Sequence, residues 1–342
     1  MKAPDQHQAF SEDGDVLDGL RRLGLLEDSE RPELTPLTGG VSSEIWKVSS
    51  ARGEFCVKRA LARLRVAAVW EAPLERSHFE AEWMRVAGSI RPDNVPELLA
   101  EDVASHLVVM RFLPPADYPL WKAQLRDGHA DPAFAAKVGE ALVAIHAATA
   151  DDPAIAARFA TDAAFHAIRL EPYLEATASR HENVADRLFE LSRTTAGTKR
   201  CLVHGDVSPK NILAGAGGPV FLDAECAWFG DPAFDLAFVL NHLLLKCMWT
   251  PAAGEKFLDC FAALIAAYVA GVTWEPAQAL EERAAALLPG LMLARIDGKS
   301  PVEYITAEAD KDRVRGFAIP LLQRPATTLA DIAAAWRLEI SR

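Results

Sequence analysis

Asp206 and Asn211 lie five residues apart in the stretch Leu202-Val203-His204-Gly205-Asp206-Val207-Ser208-Pro209-Lys210-Asn211-Ile212-Leu213, and Asp223 closes the apolar run Val220-Phe221-Leu222 shortly after it. Phosphoryl transfer calls for this set: a carboxylate to accept a hydroxyl proton, an amide oxygen on a metal ion, and a second carboxylate joining metal to phosphates. Asp206, Asn211 and Asp223 suit those roles in that order. Asp and Asn are also common turn formers, and either residue alone would carry no functional weight. Three polar groups at mechanistic spacing, between runs that otherwise read as core, point to a site. Gly205 fits a loop that folds back on itself, because it has no Cβ to restrict the backbone.

The β-prone runs on either side place this loop between two strands. Its Asp-x-x-x-x-Asn spacing equals that of the protein-kinase catalytic loop, and Asp223 stands at a strand end as the kinase metal aspartate does. Upstream, residues 34–48 read as strand, turn, strand around Gly39, Gly40, Ser42 and Ser43. Backbone N–H groups and serine hydroxyls there suit nucleotide phosphates, and an ordinary hairpin turn fits as well. Residues 54–59 read as a strand in which Cys56 and Lys58 share a face, so that Lys58 points inward with the apolar set. A buried lysine needs a partner. Residues 75–90 are helical, with Phe79, Trp83, Val86, Ala87 and Ile90 as the apolar stripe and Glu80 and Glu82 flanking it. Residues 107–113 form a buried-type strand stopped by Pro114 and Pro115.

Val16, Leu17, Leu20 and Leu23 recur at helical spacing before Gly24, and residues 1–13 are expected to be disordered. From Asp131 onward the pattern is helical, with Phe134, Val138, Leu142 and Ile145 on one stripe and His146 beside it as a core histidine. Helices are expected over 153–176 and 183–195, from Asp235 as N-cap through Leu244, over 257–268, and over 280–291 with a kink or break at Pro289-Gly290. Ser300, Pro301 and Glu303 read as a capping box opening another helix. Arg295, Asp297 and Lys299 are weak candidates for substrate contacts.

Half of the 342 residues are hydrophobic, enough for two lobes and a large core. With a net charge of −12 and no basic block, the chain is not expected to bind nucleic acid or an anionic membrane surface. No run approaches the roughly 20 apolar residues of a membrane span, and the first residues lack the plan of a signal peptide. The expectation is a soluble, cytoplasmic protein whose five scattered cysteines, Cys56, Cys201, Cys226, Cys247 and Cys260, are reduced and buried. Oligomeric state is open.

His204-Gly205-Asp206 with Asn211, then Leu222-Asp223-Ala224-Glu225 and Gly230-Asp231-Pro232-Ala233-Phe234-Asp235-Leu236-Ala237, resemble the aminoglycoside phosphotransferase family, over most of the chain from about residue 35 to about residue 310. The resemblance implies an α+β, bilobal, protein-kinase-like fold. A small antiparallel-sheet lobe over 1–112 would bind nucleotide, and a large, mainly helical lobe over 113–342 would carry catalysis and substrate. It implies ATP- and Mg²⁺-dependent transfer of the γ-phosphoryl group to a hydroxyl of a small molecule. Asp206 is then the base, His204 orients the loop, Asn211 and Asp223 hold Mg²⁺, and Lys58 clamps the phosphates. Arg76, Glu80, Met84, Val86, Val95 and Pro96 match the family's helix without gaps, which selects Glu80 rather than Glu82 as the partner of Lys58. Arg111 and Leu113 take the hinge, with Met110 lining the adenine pocket, and Asp235 accepts backbone N–H groups of the loop.

A protein kinase competes within enzymes, and a nucleotide-binding pseudokinase or interaction module outside them. The residues between Asp223 and Asp235 include no Ser, Thr or Tyr and are too few for a phosphorylated activation loop. Gly205 stands where H-R-D has its arginine. The presence of Lys58, Asp206, Asn211 and Asp223 together weighs against a degraded site.

Overall fold

Side-chain alternation along neighbouring strands builds the first core. The computed structural model describes residues 13–37, 42–61 and 73–341. Strands β1 (Glu33–Pro36), β2 (Ser43–Ser50), β3 (Gly53–Ala60), β4 (Leu98–Asp102) and β5 (Leu107–Arg111) form an antiparallel sheet in the order β1-β2-β3-β5-β4. Register pairs Trp46 with Val57 and Val57 with Val109. Trp46, Val48, Phe55, Val57, Leu107 and Val109 join Val16 and Leu20 of helix α1 (Asp13–Arg22) in one buried cluster. Burying each such side chain contributes roughly 1.5–3 kcal/mol. Lys58 lies on the other face of β3 from Phe55 and Val57, a correction to its expected place on the apolar side. It is buried all the same.

Contacts divide the chain into two compact units, Met1–Ala81 with Glu97–Phe112, and Glu82–Pro96 with Leu113–Arg342. Helix α2 (Arg76–Ile90) contributes residues to both. Its buried face is Arg76, Ser77, Glu80, Ala81, Trp83, Met84, Val86 and Ala87, whereas Phe79 and Ile90 are only half-buried. The expected apolar stripe is therefore rotated, because this face must bury charged groups as well.

In the second unit the helix Pro232–Trp249 is buried from Pro232 to Cys247, polar Asp235, Asn241, His242 and Lys246 included. The helices Pro132–Thr149 and Gly254–Ala270 approach closely at Gly139, where a Cβ would come within 2.5 Å of the Leu264 carbonyl oxygen. Two short antiparallel ladders lie in this unit: β6 (Cys201–Val203) with β9 (Trp228–Gly230), and β7 (Ile212–Gly215) with β8 (Gly218–Phe221). Among the described residues no helix is long and apolar enough to cross a membrane.

Four helix expectations need correction. Asp231, not Asp235, caps Pro232–Trp249, accepting from the Ala233 N–H at 3.0 Å ahead of Pro232. Residues 153–176 are not one helix: Pro153–Arg158 ends early, and His166–Glu175 is a wide π-type stretch containing Pro172, which has no N–H to give to the usual ladder. The helix Ala277–Asp297 runs unbroken through Pro289, its last eleven residues all buried, so packing overrides the proline. Residues 300–304 form no helix. The Ser300 carbonyl and hydroxyl both accept from Arg295, and Glu303 is paired with Lys122, so both members of the supposed capping box are engaged elsewhere.

Candidate active site

The loop 204–211 leaves β6 and is held from below by one carboxylate. Asp235, in the first turn of the core helix, accepts from the His204 N–H at 2.7 Å and the Gly205 N–H at 2.8 Å. His146, fully buried, faces the same carboxylate through Nε2 at 3.3 Å and receives the Tyr268 hydroxyl on Nδ1 at 2.7 Å. Expected as a core histidine, it steadies the aspartate that steadies the loop. Gly205 has φ +80°, and a Cβ there would lie 2.6 Å from the Cys226 carbonyl oxygen, so both backbone conformation and space demand glycine.

His204 is bound to the loop and to the strand end beyond it through both ring nitrogens. Its Nε2–H donates to the Leu222 carbonyl at 3.1 Å, and Nδ1 accepts from the Asp206 N–H at 3.2 Å, with Trp83 edge-on at 4.8 Å. Burial lowers its pKa, in keeping with a ring that must accept on one nitrogen.

Asp206 is 3% exposed. Burial alone would push its carboxyl up, but the charges of Arg169, 3.0 Å away, and Lys210, 3.1 Å away, outweigh this and hold it below the ordinary carboxylate range. The Asn211 Nδ2 donates to the Asp206 Oδ2 at 2.9 Å and to its carbonyl at 3.1 Å. The amide nitrogen is thereby committed to Asp206, and its oxygen is turned elsewhere. Asp223 adopts the left-handed conformation at φ +67°, uncommon for a residue with a side chain and typical of functional positions.

Arg169 escaped the sequence reading. It sits on the π-type stretch 36 residues before the loop, donates to the Gly205 carbonyl, and is buried. Lys210 was in plain view within the motif but was not singled out. With 44% of its side chain exposed, it reaches Asp206, whose charge raises its pKa.

In the first unit Lys58, 6% exposed, donates to Glu80 Oε1 at 3.0 Å and lies 2.8 Å from Oε2. Glu82 is bound instead by Arg85 and Arg158, which favours Glu80 as the lysine's partner. Arg76 ties its guanidinium to the Ser42 and Leu61 carbonyls at 2.6 Å each, beside the buried Ser43. Gly39 and Gly40, and the disorder expected ahead of α1, fall outside the described residues. Met110 is buried at the end of β5, and the Arg111 N–H donates to the Glu97 carbonyl at 2.9 Å while its side chain pairs with Glu97 in solvent. Asp297 is bound by Arg315 at 2.7 Å and His181 at 2.8 Å, and Lys299 pairs with exposed Glu171.

A small antiparallel sheet with a buried Lys–Glu pair, and a helical unit whose Asp-x-x-x-x-Asn loop is clamped from its core helix, define an α+β protein of the bilobal, protein-kinase-like class. An aminoglycoside phosphotransferase from Alicyclobacillus acidocaldarius is similar in fold, with a TM-score of 0.52 at 13% identity over 99% of both chains. So is an amicoumacin kinase solved with AMP-PNP and Ca²⁺, with a TM-score of 0.53 at 15% identity over 94% of this chain and 97% of that one.

The chain belongs to the phosphotransferase enzyme family, whose pattern matches residues 33–280. A methylthioribose kinase of Yersinia pseudotuberculosis is 24% identical over 275 residues, 71% of this chain. The chain spans 66% of that relative's length.

Proposed function

We propose that this chain transfers the γ-phosphoryl group of ATP to a hydroxyl of a small molecule in a Mg²⁺-dependent reaction. The observation that carries the reading is Asp206: a buried carboxylate kept ionised by Arg169 and Lys210 and aimed by the Asn211 amide. An acceptor hydroxyl placed against it would lose its proton to Asp206 as phosphorus is attacked. Asn211, with its oxygen turned away from Asp206, and Asp223, held in an unusual backbone conformation, suit a divalent cation. Ser208 Oγ, buried without a partner among the described residues, supplies a further polar group suited to a phosphate. Bound there, Mg²⁺ would neutralise phosphate charge.

In this reading the first unit is the nucleotide-binding lobe and the second the catalytic and substrate lobe. Lys58, positioned by Glu80, would clamp phosphate oxygens, and Ser42 and Ser43 would add hydroxyl and backbone donors. Met110 and the backbone from Arg111 to Leu113 would contact the adenine; with the Arg111 N–H engaged by Glu97, the remaining backbone groups must serve. Free thiols, four of them buried and Cys56 half-buried where all five were expected to be buried, suit a reducing cytoplasm, where ATP is available. A protein kinase is disfavoured because residues 226–235 are buried throughout and β9 pairs directly with β6, so this segment offers a peptide no exposed loop.

The test is ATP consumption by the full chain across a panel of hydroxylated metabolites, with and without Mg²⁺, beside casein as a protein acceptor. Transfer to a small acceptor that needs Mg²⁺ supports the reading. Transfer to casein alone, or nucleotide binding with no transfer, rejects it.

A further inference from the structure

Asp235, Phe238, His242, Lys246 and Trp249 follow one another at spacings of three and four along the core helix, and so form a line on one face. The line starts at the carboxylate that holds the Asp206 loop. It ends at Lys246, 1% exposed, whose ammonium lies 4.3 Å from the Trp249 ring and 4.6 Å from the Tyr304 ring, the two rings stacked at 4.4 Å. Among the described residues no carboxylate pairs with Lys246. Glu303, the acid whose charge reaches it, is taken by Lys122.

More positive charge stands nearby. Burial first, then Lys122 and Arg295, push Lys246 down to about 7, and burial with Arg295, Lys246, Lys210 and Lys122 pushes His242 well down. Arg295 donates to the Tyr173 hydroxyl at 3.2 Å, and its guanidinium lies 5.7 Å from the Tyr173 ring. Arg169, the partner of Asp206, lies 5.7 Å from that same ring. The cluster is therefore joined by contact to the Asp206 loop. Arg295 Nε and the Tyr304 hydroxyl are buried without partners among the described residues. Lys122 and Lys210 keep 28% and 44% of their side chains exposed, whereas Lys246 and Arg295 are buried.

Lys246 and Arg295 form no ion pair with a carboxylate among the described residues, while Lys122 and Lys210, paired with Glu303 and Asp206, add positive charge beside them; buried cations without a counter-charge are costly unless something negative joins them. Polycations would be repelled there, and the buried Asp231 is engaged by Arg283. We propose that this cluster receives the acceptor, and that the acceptor carries an anionic group, carboxylate or phosphate, beside the hydroxyl that is phosphorylated. The proposal rests on the phosphotransfer reading. The hydroxyl oxygen forms the new P–O bond as the bond from the γ-phosphorus to the β–γ bridging oxygen breaks, its proton passes to Asp206, and ADP leaves.

The test uses the full chain and short polyols that share a hydroxyl pattern and differ at one end: glycerate, glycerol 3-phosphate, glyceramide and 3-amino-1,2-propanediol. Thermal-shift titration without nucleotide reads binding, and ATP consumption reads transfer. At least one anionic probe should stabilise the protein where glyceramide and the amine do not, and the affinity should fall at least tenfold in Lys246→Met and in the rim variant Lys122→Ala. The two anionic probes separate carboxylate from phosphate. Equal or better binding of the amine or glyceramide, or an anion preference unchanged in both variants, overturns the proposal. Anion binding with no transfer to any acceptor keeps the site and sinks the phosphotransfer reading; transfer to neutral or cationic acceptors without anion binding does the reverse.

Discussion

Two lysines are buried among the described residues, and their surroundings differ. Lys58 in the small sheet faces a carboxylate at 2.8 Å. Lys246 in the core helix faces two ring planes and other cations, and burial with those cations pushes its pKa down to about 7. Burial costs both, so burial does not separate them; compensation does. A charge balanced within the chain is set in place before any ligand arrives, as Lys58 is by Glu80 and Asp206 by Arg169 and Lys210. A charge left unbalanced marks where the chain is incomplete by itself.

The comparison is broken most directly at Asp206, the balanced acid. Asp206→Asn keeps shape and removes the proton acceptor, and we expect kcat to fall by about 10² to 10⁴ while nucleotide affinity measured by titration calorimetry is retained. A near-normal kcat would remove Asp206 from the chemistry. The balanced lysine comes next. Lys58→Ala should lower kcat/KM for ATP by about 10² to 10³, the scale of losing one phosphate-stabilising donor, with a smaller loss of the same kind in Glu80→Ala. Steady-state kinetics in Glu82→Ala supplies the control: that residue is held by Arg85 and Arg158, and a larger loss there than in Glu80→Ala would assign the lysine's partner wrongly.

Arg169 tests whether balance itself matters. It touches neither nucleotide nor acceptor in this reading and acts by holding Asp206 and the Gly205 carbonyl in place. A hydrogen bond to a charged group contributes about 1.5–3 kcal/mol, so Arg169→Met should lower kcat by roughly 10 to 100-fold, at 1.36 kcal/mol per tenfold. KM for ATP should stay close to wild type, and Arg169→Lys should recover part of kcat. A rise in KM for ATP with kcat unchanged would mean that Arg169 serves the nucleotide instead.

The balanced site was largely legible in the sequence and the unbalanced one was not. Asp206, Asn211 and Asp223 declare themselves because the chemistry fixes their spacing along one short stretch. Lys58 was legible as a polar residue on a β pattern, though on the wrong face, since both faces of this sheet are covered and alternation alone cannot say which holds the core. Arg169 lies on a stretch whose widened turns defeat a 3.6-residue pattern, and only tertiary folding brings it to Asp206. Lys246 reads in sequence as the polar end of an apolar helix. Its company, Lys122, Arg295 and Tyr304, comes from three distant segments. The same blindness produced the capping box at Ser300 and Glu303, whose local pattern is sound and whose side chains are spent on Arg295 and Lys122.

The smallest effect is expected on stability, and its pH dependence is the sharpest measure of the unbalanced lysine. Below pH 7 Lys246 is protonated in folded and unfolded chains alike, and the folded state bears the full cost of a buried ammonium. Between about 7 and the ordinary lysine value of 10.5 the unfolded chain binds more protons at this position, so this group makes stability rise with pH; above 10.5 both states are neutral and the cost is gone. Lys246→Met, which keeps the chain length and drops the charge, should therefore be more stable than wild type at pH 6.5, with the advantage shrinking through pH 8 and 9.5 in urea unfolding. Cys56, Cys247 and Cys260, whose thiols burial pushes up to about 12, weaken the fold as pH rises past the ordinary thiol range. They do so equally in both proteins and cancel in the difference. A difference that is flat or widens with pH would mean that Lys246 keeps its charge through a balancing group, and the contrast with Lys58 would fall with it.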